Sequence, residues 1–128
     1  MTTHLSTPVI TYETAARAVA SVMDAAATAG VRAVATVVDP SITMARRRKA
    51  ITAASTRKPS GAMPPALAVA MEHGTGGLLS SIHGGFPIVF DGVHVGGLGV
   101  AGGTPQQDVE IALAALTALG ADTEGFQA

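Results

Sequence analysis

The sequence predicts a small α/β (α+β) protein, and three patterns in the chain carry that prediction. Segments 12–29 and 105–119 repeat apolar residues at the spacing of an amphipathic helix. The run Val31–Val38 is apolar and β-branched, as is typical of a buried strand. The Asp91-Gly92 pair lies between two strand-like runs, so it predicts a two-residue hairpin within 86–100.

The ends of the two helices are marked by capping residues. Thr11 is suited to cap the first helix, and Glu13 in its first turn favours the helix dipole. Gly30 supplies a C-terminal stop. The last helix follows the sequence Thr104-Pro105-Gln106-Gln107, which matches a capping box with proline at the first helical position.

The middle of the chain is broken by proline and glycine. Asp39-Pro40 ends the first strand, and a second helix is predicted over 42–57. Prolines then interrupt the chain before a short helix over 65–72. Residues 73–85 are glycine-rich and are predicted to form a loop, with a short strand around Leu78–Ile82.

Length and composition limit the classes of protein to consider. The chain has 128 residues, which fits one domain over 1–128. Its net charge is −1 and its aromatic content 3%, which argues against nucleic-acid binding. It has no cysteine, and thus no disulfide or thiolate metal site. We see no signal peptide or long apolar run, so we predict a cytoplasmic protein without a membrane segment.

Gly97, Gly99 and Gly102 spell the G-x-G-x-x-G pattern of dinucleotide-binding proteins. That fingerprint opens a βαβ unit, and the residues after Asp122 are too few to supply its second strand. Within an antiparallel hairpin, glycines instead permit bulges or the close approach of another backbone. We therefore predict a packing role for them.

Two groups of residues are candidates for binding chemistry. Six of the eight basic residues lie in one stretch, where they form either a solvated helix face or an anion site: Arg46, Arg47, Arg48, Lys49, Arg57 and Lys58. His73 and His83 bracket the glycine-rich segment. Imidazole binds haem iron and transfers protons, although a loop histidine is often inert.

The pattern of residues 84–108 is similar to the closing signature of the GlcG/HbpS family, which includes the C-terminal domain of PduO-type corrinoid proteins. The matching runs are Gly84-Gly85-Phe86-Pro87-Ile88, Asp91-Gly92, Val95-Gly96-Gly97-Leu98-Gly99-Val100 and Gly102-Gly103-Thr104-Pro105-Gln106-Gln107-Asp108. Val37-Val38-Asp39 and the helix containing Lys49-Ala50 also resemble the family. The resemblance implies a profilin-like fold of α/β/α layers with an antiparallel sheet of four to five strands. It also implies oligomers, and a link to haem, corrinoid or glycolate metabolism.

The chain departs from this family after Asp39. There the family pattern turns into a second strand, whereas here Asp39-Pro40 runs almost directly into Ser41-Ile42. We therefore expect an exposed sheet edge, and such an edge tends to recruit a partner chain. The predicted partner is a second copy of this protein, covering the shortened region.

The leading hypothesis is a small-ligand binding protein, with haem as the first candidate. Basic side chains would meet the propionates, and a histidine would be the axial ligand. The predicted cofactor-binding residues are His73, His83, Lys49, Arg46, Arg47, Gly84 and Gly85. A second hypothesis is a cofactor-free enzyme on a small carboxylated metabolite, with loop 74–85 supplying N–H donors, a histidine moving protons and Lys49 holding the carboxylate. A third is a non-catalytic oligomeric assembly module.

Overall fold

A computed structural model describes residues 3–4, 6–40, 48–76 and 79–126. These residues form α1 (Tyr12–Ala29), β1 (Val34–Val38), α2 (Arg48–Thr56), a 3-10 turn (Ser60–Ala62), α3 (Pro65–Gly74), β2 (Gly85–Phe90), β3 (Val93–Ala101) and α4 (Pro105–Leu119). The mixed α+β class predicted from the sequence is therefore confirmed. None of these helices is both long and apolar enough to cross a membrane.

The predicted caps of α1 and α4 are present. The Thr11 side chain accepts a hydrogen bond from the Thr14 amide at 3.2 Å, and Gly30 ends α1 with a φ of 70°. At α4, Thr104 and Gln107 form the reciprocal capping box. These contacts satisfy backbone groups that a helix end leaves without intrahelical partners.

The described strands form a three-stranded antiparallel sheet in the order β1-β3-β2. Asp91 and Gly92 both have positive φ, 50° and 78°, as the predicted hairpin turn requires. The sheet does not reach the predicted four to five strands in the described residues. Residues 79–82 form no strand, because several of their amides donate to side chains instead of to a neighbouring strand.

Three predicted boundaries differ from the structure. Strand β1 starts at Val34 and not Val31, because the Val31 amide is held by the Ala26 carbonyl at the end of α1. Helix α3 continues to Gly74, since Thr75 donates to the Met71 carbonyl through both its amide and its hydroxyl. Of the predicted helix 42–57, the described part is Arg48–Thr56, while residues 41–47 lie outside the described chain.

The two faces of the sheet carry different helices. One face packs with α1 and α4 around the main core, whose most buried members include Val22, Ile88, Leu98, Val100 and Leu116. Because side chains alternate along a strand, Gly97 and Gly99 of β3 face the other side, where α2 lies. The described elements thus stack as helix, sheet and helix layers.

Helix α2 lies in direct backbone contact with β3. A Cβ built at Gly97 would overlap the Ala50 carbonyl oxygen and come within 2.8 Å of the Ala54 nitrogen. A Cβ at Gly99 would come within 2.9 Å of the Ala50 nitrogen. The predicted packing role of Gly97 and Gly99 is confirmed, and both lie inside a strand. Gly102 lies in the turn after β3 and also packs closely, since a Cβ there would overlap the Arg32 carbonyl oxygen.

We expect Gly97→Ala to lower the free energy of unfolding by about 2–3 kcal/mol, because the added methyl group forces α2 off the sheet. Urea denaturation monitored by circular dichroism measures this change. Gly74→Ala is the matched control, since its new Cβ would meet no atom within 4 Å in α3. Equal stability of the Gly97 variant and the parent chain would contradict the close contact.

Candidate functional site

A cavity of about 450 Å³ lies beside the start of β2. Its volume is within the range usual for small-molecule sites. The walls come from the segment after α2, the loop before β2, α4 and the C-terminal tail. The lining residues are Arg57, Lys58, Pro59, Gly61, Ala62, His83, Gly84, Gly85, Phe86, Val109, Gly125 and Phe126. The cavity therefore combines cations, one imidazole and aromatic surface.

His83 is an exposed side chain in this wall. Its ring lies directly against Gly61. A Cβ built at Gly61 would overlap three ring atoms of His83, including Nδ1. Only glycine at position 61 allows this seat. Within the described part of the chain, no hydrogen bond engages either ring nitrogen of His83. The imidazole rests against Gly61 and has hydrogen-bonding and lone-pair capacity left for a ligand.

Ser60 holds the backbone on both sides of His83. The Ser60 hydroxyl donates to the Ile82 carbonyl at 2.6 Å and accepts from the Gly85 amide at 3.0 Å. Its side chain is fully buried, so water does not compete for either bond. One hydroxyl thus holds the residues directly before and after the His83-Gly84 pair.

Arg57 and Lys58 give the cavity its positive charge. Both are exposed, and neither forms an ion pair with any residue that the structure describes. Arg57 follows the last residue of α2 and has a φ of 57°, a left-handed conformation that disfavours a side chain. The conformation lets the chain turn sharply at the end of α2, where both cations reach the cavity.

Lys49 is engaged within the protein. Its Nζ donates to Asp108 Oδ2 at 2.9 Å and to the Val100 carbonyl at 2.8 Å. The other carboxylate oxygen, Oδ1, accepts from the Gly103 amide at 2.9 Å. The side chains are 15% and 5% exposed, so this nearly buried pair links the start of α2 to α4. Lys49 is not among the described residues that line the cavity.

Gly84 and Gly85 line the cavity and also allow tight packing. Gly84 has a φ of 111°, and a Cβ there would come within 2.6 Å of the Val100 carbonyl oxygen and 3.0 Å of Lys49 Nζ. A Cβ at Gly85 would overlap the Lys49 carbonyl. Gly85 therefore lets β2 approach α2, and Gly84 lets the preceding loop approach β3, while both leave backbone at the cavity wall.

The remaining predicted site residues are not brought to this cavity within the described chain. His73 is exposed in the last turn of α3 and is not one of the lining residues. Arg46 and Arg47 lie outside the described residues. His83, Gly84 and Gly85 are thus the predicted residues that meet in one place.

The loop before β2 uses its backbone amides internally. Glu72 Oε1 accepts from both the amide and the hydroxyl of Ser81, at 2.6 and 2.7 Å. The other engaged amides donate to hydroxyl groups of neighbouring side chains and belong to Leu79, Ser80, Ile82 and Gly85. The enzyme hypothesis requires backbone N–H groups of this loop to bind an oxyanion. Few of these N–H groups are left without a partner inside the protein.

Sequence reasoning missed several contributors to the cavity. Arg57 and Lys58 were recognised as part of a basic cluster but not assigned to the site with His83. Ser60, Gly61 and Phe126 carry no recognisable motif, because their contacts join segments that are distant in the chain. The glycine after a serine within a proline-bounded stretch is the one local signal for a close backbone contact.

The sequence of this fold matches the model of a known family. The family model for the haem degrading protein HbpS-like family matches residues 10–117. The chain therefore belongs to the HbpS-like family, in agreement with the resemblance of its closing signature. Among curated proteins, none matches its sequence significantly.

Solved structures share the fold over nearly the whole chain. HbpS is 27% identical with a TM-score of 0.77, covering 92% of this chain and 95% of HbpS. Protein ORFY of Klebsiella pneumoniae is 24% identical with a TM-score of 0.81, covering 96% and 99%. The haem complex of PduOC is 22% identical with a TM-score of 0.75, covering 90% and 98%. The last two comparisons establish likeness of fold.

We expect Ser60→Ala to lower the free energy of unfolding by about 2 kcal/mol, because the buried Gly85 amide loses its acceptor. Urea denaturation checks this value. Ser55→Ala is the matched control, since the exposed Ser55 hydroxyl bonds only the Ile51 carbonyl one helical turn away. A Ser60 variant no less stable than the Ser55 variant would show that the Ser60 hydrogen bonds contribute nothing.

Proposed function

We propose that this protein binds haem in the cavity lined by His83, Arg57 and Lys58. The observation that carries the proposal is that a histidine and two cations share one cavity, and that within the described chain the histidine has no hydrogen-bond partner and the cations have no ion pair. Family membership and the haem complex of a structural relative support the same ligand class.

The lining residues suit the three chemical parts of haem. Phe126 supplies partly exposed apolar surface for the macrocycle, and the buried Phe86 and Val109 form the apolar wall behind it. Arg57 and Lys58 are suited to its carboxylates, since guanidinium and ammonium groups form charge-assisted hydrogen bonds with them. The His83 imidazole would bind the haem iron, and bound haem would supply an iron centre for redox or oxygen chemistry.

The residues that line the cavity differ from those expected from the sequence to bind the carboxylates and the iron. Lys49 is committed to Asp108 and to the Val100 carbonyl, so the proposal gives carboxylate binding to Arg57 and Lys58. His83 is preferred over His73 because it lines the cavity. The enzyme alternative required Lys49 and His83 in one pocket together with free loop amides. Lys49 does not line the cavity, and most of the described loop amides donate within the protein.

We also propose that the protein is a homo-oligomer. Strand β1 is at the edge of the described sheet, and an edge strand is a template for a partner chain. Two large apolar side chains of α3, Leu67 and Val69, are 50% and 69% exposed. Apolar surface of this kind favours burial against another protein surface.

We expect hemin to bind the purified protein with a shifted Soret band, and His83→Ala to change that band. The reason is that the substitution removes the proposed axial nitrogen. Absorption titration with hemin measures both the band position and the dissociation constant. Adding free imidazole to the His83 variant should restore the spectrum of the parent protein.

His73→Ala is the matched control, because it removes an exposed imidazole outside the cavity. Hemin dimethyl ester, which lacks the two carboxylates, should bind less tightly than hemin if the cations hold them. A parent protein that gives no shifted band would refute haem binding. A spectrum that changes in the His73 variant and not in the His83 variant would refute the assignment of the ligand.

Sedimentation velocity is expected to give a dimer or a larger assembly. Val69→Lys tests the α3 contribution, because a charge placed in an apolar contact must be desolvated, and we expect this variant to shift the distribution towards monomer. A monodisperse monomer of the parent chain would overturn the oligomer proposal without bearing on haem binding.

A further inference from the structure

The chain continues past α4 into a tail, residues 121–126, that follows the free edge of β2. The Asp122 amide donates to the Val89 carbonyl of β2 at 2.8 Å. Its carboxylate accepts from the Gly92 amide at 2.8 Å and from the Asp91 amide at 3.3 Å. One side chain thus ties the tail to the β2–β3 turn. This tail lies beyond residues 10–117, the part that matches the family model.

From this anchor the tail reaches the opposite end of β2. Phe126 lies on Phe86, with ring centroids 5.4 Å apart and planes inclined by 51°. Phe86 is 2% exposed, whereas Phe126 is only partly buried. Phe126 and its neighbour Gly125 line the cavity. The tail is therefore one wall of the site, with an aromatic ring at its tip.

Aromatic residues are rare in this chain, yet two of them lie together at this cavity. The whole sequence has one tyrosine, three phenylalanines and no tryptophan. Two of the three phenylalanines, Phe86 and Phe126, line the same cavity. Phe86 is already covered by the core, so Phe126 is the ring with surface to offer a ligand. Aromatic rings contribute to binding through area and through stacking geometry.

We propose that Phe126 is a specificity-determining residue, whose ring contacts the flat face of a planar, conjugated, anionic ligand. This inference rests on the proposed haem-binding function and adds a selection for planarity. Arg57 and Lys58 would bind carboxylates of ligands of any shape. Contact with the Phe126 ring would give flat ligands a higher affinity than flexible aliphatic acids.

The test compares hemin with metal-free protoporphyrin IX, titrated by absorption and by fluorescence. Phe126→Ala should weaken binding of both by about tenfold, because ring contact and apolar burial are lost together. Phe126→Trp should keep the affinity, and Phe126→Leu should recover only part of it. His83→Ala should weaken hemin binding much more than binding of the metal-free porphyrin, since only hemin has an iron for the imidazole to bind.

Tyr12→Ala is the matched control, because Tyr12 is an aromatic residue that is 87% exposed at the start of α1, away from the cavity. Thermal unfolding of each variant separates loss of affinity from loss of folding, and Phe126→Leu keeps an apolar cover on Phe86. Unchanged affinity of Phe126→Ala for both porphyrins would overturn the specificity role and leave haem binding intact. A parent chain that binds neither porphyrin would overturn haem binding and this role together.

Discussion

The contact between the backbone of α2 and the backbone of β3 is the constraint on which the rest of the structure depends. It exists because Gly97 and Gly99 leave no side chain between the helix and the sheet. Both ends of α2 are then pinned: Lys49 bonds Asp108 and the Val100 carbonyl, and His94 Nε2 donates to the Ala54 carbonyl at 2.9 Å. A helix this close to the sheet fixes where the following segment starts.

The cavity is a consequence of that placement. Arg57 turns the chain away from the end of α2, and Ser60 and Gly61 follow within a few residues. Ser60 then hydrogen-bonds the loop that precedes β2 and the first residue of β2, and the ring of His83 packs against Gly61. The histidine is positioned by two residues from another part of the chain, so its orientation depends on the seat of α2.

The buried charge at Lys49 illustrates why residue type alone does not assign function. A lysine in a basic stretch is suited to binding a carboxylate, and here the carboxylate is Asp108 of the same chain. Burying two charges is tolerated because the pair is further hydrogen-bonded to the Val100 carbonyl and the Gly103 amide. Arg57 and Lys58 of the same basic stretch follow α2, line the cavity and form no ion pair with a described acid.

The sequence by itself determined the elements whose signals are local. The caps at Thr11 and Thr104, the Asp91-Gly92 turn and the family signature depend on neighbouring residues, and the structure contains each of them. The extent of α3 and the start of β1 were misjudged by two or three residues, because Thr75 and the Ala26 carbonyl bond across the predicted ends. Of the residues that line the cavity, the sequence alone predicts His83, Gly84 and Gly85 as site candidates.

Only the tertiary structure decided which residues surround His83. Ser60 and Gly85 lie 25 positions apart, and Lys49 and Asp108 lie 59 apart. Their pairing follows from the closeness of α2 to the sheet, and no periodicity along the chain records it. The tail also reaches the cavity through long-range contacts. Asp122 bonds to a turn 30 residues earlier in the chain, and Phe126 lies on Phe86. Local pattern fixes elements, whereas long-range contacts decide which side chains share a cavity.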